Sequence, residues 1–189
     1  MTSKNHPDAT STPSSDMKKH IFGYAAGVSL FMIIIPAAIW GLSLLEECVS
    51  DKPLFAGLSL RVVLAAILFL WGMLFVVWSN LFLVVVGKGG PANIGNVVIS
   101  PLTRKLVTSG PYRYTRNPMV FGANTVYLSI AIYLDSWLGL VALVVFFFTL
   151  VKTAVKMEEQ RLLKDFGTEF EAYRSRTSMI IPFPPRKQS

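Results

Sequence analysis

The sequence predicts an all-α integral membrane protein, a bundle of about four transmembrane helices, and three observations carry that expectation. Apolar residues make up 52% of the 189-residue chain and charged residues only 15%, against about 25% in soluble domains. The mean hydropathy is +0.51, and a chain of one-domain length has no interior large enough to hide that much Leu, Val, Ile and Phe, whereas a bilayer does. The apolar residues also fall in long runs, with the basic residues between them.

The first run, Ile21 to Leu45, holds 25 residues without a charge. As a helix it is about 37 Å long, enough to cross a hydrocarbon core of about 30 Å. Pro36 removes a backbone hydrogen bond inside it, so a kink is expected there. Glu46 to Pro53 is expected to be a polar connector. The second span begins within Leu54–Leu60 and runs to Val86, with Arg61 near its start, placed to snorkel to the interface, and Asn80 deep inside, placed for an interhelical hydrogen bond. Spans three and four are Pro118 to Leu134 and Trp137 to Val155. Only Asp135 and Ser136 separate them, which demands an antiparallel hairpin. An amphipathic helix follows, with Leu162, Leu163, Phe166, Phe170 and Tyr173 at helical spacing and Gly167 placed to break or bend it.

Between spans two and three lies Gly87–Arg116, with five glycines, three prolines, five basic residues and no acid. A long regular element is improbable there, and its interleaved Ile, Val, Leu and Tyr argue against disorder. The polar residues 1–16 form an expected disordered tail. The chain thus divides into the tail 1–16, the first two helices 17–86, a core 87–183 and a short tail 184–189. With four spans, Lys18 and Lys19, the basic loop, and Lys152, Lys156, Arg161 and Lys164 all fall on one side. The positive-inside rule makes that side cytosolic, both termini included.

The net charge of +7 and pI near 9.7 do not point to nucleic acid, because the basic residues sit in interhelical segments where they set topology. A lone cysteine, Cys48, excludes an internal disulfide. The two histidines, His6 and His20, are both N-terminal, so the rest of the chain can build neither a histidine metal site nor a Ser-His-Asp triad. No metal is expected.

The polar residues of the second half converge. A hairpin returns to the face where it began, so Arg116 and Asn117 before it meet Glu158 and Glu159 after it. Such a cluster suits S-adenosylmethionine: Glu158 can pair with an α-ammonium, the Gly/Pro-rich loop can hold carboxylate and adenine edge, and Leu106, Val107 and Tyr112 can wall the ring. Two carboxylates that merely favour a helix start would have the same spacing.

The residues carry a resemblance as well. LVTSGPYRYTRNPMVFG (Leu106 to Gly122), followed after the hairpin by EEQRLLKDFGTEFEAYRSR (Glu158 to Arg176), resembles the isoprenylcysteine carboxyl methyltransferase family, and phospholipid methyltransferases are similar in the same segments. GKGGP before them and IIPF after them match the broader bacterial branch. The resemblance implies a small transmembrane bundle whose cytosolic cofactor pocket is formed by the loop before the third span and the C-terminal helix. The implied cofactor is S-adenosyl-L-methionine, with contacts at Arg104, Lys105, Leu106, Val107, Tyr112, Asn117, Pro118, Met119, Val120 and Glu158, the last on the amino group. Arg116, Asn117 and Glu159 are the implied catalytic residues, and the implied partner is a lipophilic acceptor from the bilayer.

The chain departs from the family pattern in three places. Asn117 stands where histidine is common, which excludes a titrating group there. Val120 replaces a common tyrosine. Eukaryotic members place an arginine on the substrate carboxylate shortly before the glutamates; here the nearby cations are Lys152 and Lys156, with no arginine in matching register. An isoprenylcysteine-type carboxylate, a phospholipid amine and a small thiol all remain open as acceptors. Two other readings stand beside these: an NADPH-dependent membrane reductase of sterol-reductase type, similar around the Tyr-Arg-Tyr and Asn-Pro segment, and a non-enzymatic membrane scaffold.

Overall fold

A computed structural model describes residues 30–48, 57–87, 93–94, 97–98 and 105–185. The tail 1–16 and Arg104 lie outside them. The architecture is all-α. A π-helical turn, Leu30–Ile34, leads into α1 (Ile35–Glu47), followed by α2 (Leu58–Val85). The intervening loop holds the two-residue strands β1 (Asn93–Ile94) and β2 (Val97–Val98), paired antiparallel, and a 3-10 turn, Gly110–Arg113. Next come α3 (Pro118–Tyr133) and α4 (Trp137–Phe146). A second π turn, Phe147–Val151, joins α4 to α5 (Lys152–Arg176).

Among the described residues, two helices are long and apolar enough to cross a membrane: α2 with 28 residues, and the continuous run Trp137–Arg176 with 40. Only 17% of the most apolar window of each is buried. A soluble core helix would hide that surface; here Leu58, Leu70, Leu74, Leu81, Val84 and Val85 of α2 all face outward. The shorter α3 is apolar too. The wide turn ends where Pro36 enters the first turn of α1, so the backbone defect expected of that proline takes the form of a π turn.

The α2–α3 pair is the tightest contact. The helices run antiparallel, as Arg61–Asp135, Phe75–Phe121 and Phe82–Gly110 show in turn. At their crossing Gly72 meets Gly122 with no room between. A Cβ on Gly122 would lie 2.6 Å from the Gly72 carbonyl oxygen, and one on Gly72 would lie 2.7 Å from that of Gly122. Small residues let backbones approach this closely inside a membrane, where dispersion rather than the hydrophobic effect holds helices together. Beside the crossing, the Phe75 and Phe121 rings stack edge-on at 4.9 Å. A second cluster packs Ile39 of α1 on Tyr127 and Ala131 of α3, with Leu140 and Leu143 of α4 against it.

The structure corrects four expectations at the helix ends. Glu46 and Glu47 do not begin a polar connector; they complete α1, and Glu46 is buried. Its carboxylate accepts hydrogen bonds from Ser136 Oγ (2.8 Å) and from the backbone N–H groups of Trp137 (3.2 Å) and Leu138 (3.3 Å). A negative charge thereby satisfies the orphan donors and positive dipole of the α4 N-terminus. Arg61 does not simply snorkel; it pairs with Asp135 at 3.1 Å, in the turn of the hairpin. Asn80 donates to the Val76 carbonyl of its own helix (2.8 Å), not across helices. The helix that starts at Trp137 does not end at Val155, since α5 continues it beyond the π turn until Gly167.

These contacts lead to a paired prediction. Gly122→Val should lower the thermal midpoint of the detergent-solubilised protein, at a cost of about 1–3 kcal/mol typical of overpacking. Gly41→Ala, where a Cβ meets nothing within 4 Å, should leave the midpoint unchanged or slightly raised. A midpoint insensitive to Gly122→Val would contradict the close crossing.

Candidate functional site

The site is assembled where α3 begins. Gly110 opens the 3-10 turn with φ +60, and any Cβ there would lie 2.4 Å from the Phe82 ring. Only glycine satisfies both demands, and it seats the loop on the end of α2. The turn buries Pro111 and Tyr112. Thr115 follows, fully buried, and its hydroxyl accepts the Asn117 N–H at 3.3 Å. Pro118 then starts α3 at the position where a missing N–H costs nothing.

The C-terminal segment returns to this point. At Gly167 (φ 51, ψ −124) α5 breaks, in a conformation open only to glycine. The rest of the helix turns back and buries Phe170 and Tyr173, and the Tyr173 hydroxyl donates to the Tyr112 carbonyl at 2.6 Å. Beyond the helix the chain runs as an extended strap alongside Tyr114–Arg116. Thr115 and Ser178 form a parallel bridge, Arg116 N–H donates to the Ser178 carbonyl (2.9 Å), and Phe183 N–H donates to the Tyr114 carbonyl (3.0 Å).

Arg116 sits at the centre. Its Nε and Nη2 both lie 2.8 Å from Glu159 Oε1, and its Nη1 donates to the carbonyls of Arg174 (2.8 Å) and Thr177 (2.5 Å). The two side chains are only 9% and 8% exposed, so this is a desolvated pair whose charges depend on each other. One guanidinium thus ties the start of α3 to α5 and to the C-terminal end of that helix, as only arginine's planar fork of donors can. Asn117 adds a second tie, its amide donating to the Met179 carbonyl at 2.9 Å.

Glu158 faces away from this pair. It is held by Arg161 through Nε and Nη2, and Arg161 reaches on to Asp165 at 2.9 Å. The hydrogen bond to Glu158, more than the opposing desolvation, keeps Arg161 firmly protonated. With its side chain 31% exposed, Glu158 is the more accessible of the two carboxylates.

The other expected contact residues surround the same point. Val107, Tyr112 and Pro118 are buried, Leu106, Asn117, Met119 and Val120 are half-buried, and Lys105 is exposed. The structure brings Arg116, Asn117 and Glu159 together with the strap, while Glu158 stands one position along α5. Sequence reasoning missed Thr115, Tyr173 and the carbonyls of Arg174, Thr177 and Met179. The prolines of the MIIPFPPRKQS ending are the signal in the sequence that favours an extended strap over more helix.

A family model, phospholipid methyltransferase, matches residues 60–169, more than half of the chain. The chain belongs to the phospholipid methyltransferase family. It is therefore a membrane protein of the isoprenylcysteine/phospholipid methyltransferase type, a methyltransferase acting on a membrane lipid-related acceptor. The match takes in Arg116, Asn117, Glu158 and Glu159 and stops before the strap. No curated protein and no solved structure matches the chain.

Burial raises Tyr112 above the ordinary tyrosine value of 10.0, with Tyr173 adding to it. Burial likewise raises Tyr173, Arg116 opposing and Glu159 assisting. Both phenols stay neutral in the fold. Their stabilisation is complete below pH 10.0 and is lost as the pH rises above that value through the raised ones. A spectrophotometric titration should show at least two fewer phenols ionising near pH 10 in the folded protein than after denaturation.

Arg116→Ala should strand Glu159 and cost about 3–5 kcal/mol, seen as a large drop in thermal midpoint. Arg116→Lys, which keeps the charge and loses the fork, should fall between this variant and the wild type. Equal midpoints for all three would contradict the role given to the pair.

Proposed function

We propose that the chain is an S-adenosylmethionine-dependent methyltransferase that methylates a phospholipid amine. The observation that carries this reading is the buried Arg116–Glu159 pair. It joins the two segments of the family match across 43 residues of sequence and brings Glu158 and the Val107–Tyr112 wall to the same end of the bundle. The proposed topology has four spans with both termini and the Gly87–Arg116 loop cytosolic, supported by the basic residues of those segments. Neither a metal nor a nucleic acid takes part.

The residues present suit the cofactor. Val107 and Tyr112 offer buried apolar and aromatic surface for an adenine ring. Glu158 offers a partly exposed carboxylate for an α-ammonium, sharing it with Arg161. Arg104, Lys105, Leu106, Asn117, Pro118, Met119 and Val120 complete the proposed contact set. When bound, the cofactor supplies an activated methyl group on a sulfonium.

The protein's task is then alignment and exclusion of water. Arg116 and Glu159 hold the loop, α5 and the strap in one frame. Asn117 has its amide N–H committed to the strap, which leaves its carbonyl oxygen to accept an N–H from the acceptor. An amine acceptor attacks as its neutral form, having given its proton to water, since Glu159 is engaged by Arg116. The chain's own cations bear on the acceptor as well. Lys152 Nζ stands over the Phe148 ring, 5.6 Å from its centroid, engaged there rather than poised for a substrate carboxylate. That weighs against Lys152 as the clamp for the carboxylate of an isoprenylcysteine-type acceptor.

Calorimetric titration of the detergent-solubilised protein with S-adenosylhomocysteine should give micromolar binding that Glu158→Ala abolishes, with no heat from NADPH. Binding of NADPH alone would replace this reading with the reductase. Membranes incubated with methyl-labelled cofactor should carry the label in lipid in a base-stable form, as an N-methyl group is. Label released by mild base as methanol would show a carboxyl ester and overturn the choice of acceptor.

A further inference from the structure

The end of α5 and the strap line a cleft of about 530 Å³ that shares only Arg116 with the residues given to methyl transfer. That volume lies in the range of small-ligand sites. Arg116, Arg174, Arg176, Ser175 and Ser178 supply its polar lining, and Met179 and Phe183 its apolar side. Arg116 is already committed to Glu159 and two carbonyls. The other two guanidiniums are not. Arg174 is 54% exposed, and its acidic neighbour among the described residues, Glu159, lies 3.8 Å away and is bound by Arg116. Arg176 donates only its Nε, to the Ala172 carbonyl of its own helix (3.0 Å); both its Nη groups have no partner among the described residues.

The depth of the cleft limits what can enter it. The strap pairs with Tyr114–Arg116, two residues before Pro118, where the apolar helix α3 begins. The cleft therefore stands at the level where an apolar helix meets lipid headgroups. Ile181 and Phe183 on the strap expose 57% and 59% of their surface beside it, and Tyr114 a further 38%. Two uncommitted guanidiniums next to exposed apolar side chains at that depth match an amphiphilic anion.

The geometry points to a site for the phosphate of an anionic phospholipid, held by Arg174 and Arg176, with Phe183 against its glycerol and upper acyl chain. The lipid is a clamp on the strap rather than the methyl acceptor. It links the C-terminal end of α5 to the bilayer from outside, as Arg116 links it to the loop from inside.

The test is native mass spectrometry of the full chain in detergent with added phosphatidylglycerol, which has no amine and cannot be N-methylated. Wild type should retain phosphatidylglycerol over phosphatidylcholine by roughly tenfold or more. The double variant Arg174→Gln/Arg176→Gln should lose that preference. Arg176→Gln alone removes a side chain with a single contact to its own helix, and should lower retention severalfold at an unchanged thermal midpoint. Equal retention of the two lipids by wild type, or an undiminished preference in Arg176→Gln and the double variant, would overturn the proposal. Displacement of the lipid by millimolar inorganic phosphate would overturn it too, by showing a site for a free anion.

Discussion

One buried ion pair organises the cytosolic end proposed for this molecule. Arg116 and Glu159 lie 43 residues apart and touch because the α3–α4 hairpin returns the chain to its starting face. A guanidinium removed from water at this depth must have every donor matched or the site is destabilised. The chain meets that demand with one carboxylate and two carbonyls at the end of α5. The position of the loop, the path of the strap and the exposure of Glu158 all follow. With Glu159 committed to Arg116, its neighbour Glu158 is the carboxylate left facing outward.

The opposite end of the bundle has its own constraint of the same kind. Glu46 caps α4 from α1, and Arg61 on α2 pairs with Asp135 in the hairpin turn. Between the ends, the Gly72–Gly122 crossing brings α2 and α3 into backbone contact. The hairpin is therefore pinned at its turn, along its length and at its base. A methyl donor and a lipid acceptor must be aligned to within fractions of an ångström, and a hairpin held at three levels gives the rigidity that alignment requires.

Much of this was legible in the sequence, and the reasons are specific. The hairpin could be read because two uncharged runs are separated by only Asp135 and Ser136, and the meeting of Arg116 with Glu159 followed from it. Gly167 could be read because a glycine interrupts an amphipathic repeat. The functions of Glu46 and Asn80 could not. A carboxylate at the edge of a polar segment looks solvated until its partner, Ser136, arrives from 90 residues away. A membrane asparagine has as good an acceptor one turn back on its own helix as on a neighbour. The strap was the least legible element, because Arg116 and Asn117 bind its backbone carbonyls, which no residue type announces.

The account depends on the Arg116–Glu159 pair holding the strap against the loop, and native-state hydrogen exchange measures that directly. The amides of Arg116 and Phe183 donate across the loop–strap junction at 2.9 and 3.0 Å, and both should be strongly protected in the wild-type protein. Glu159→Gln removes the charge and keeps the shape. It should release the protection of both amides together while leaving that of the α2–α3 crossing intact. Unchanged protection of Arg116 and Phe183 in that variant would contradict the claim that the ion pair closes the site.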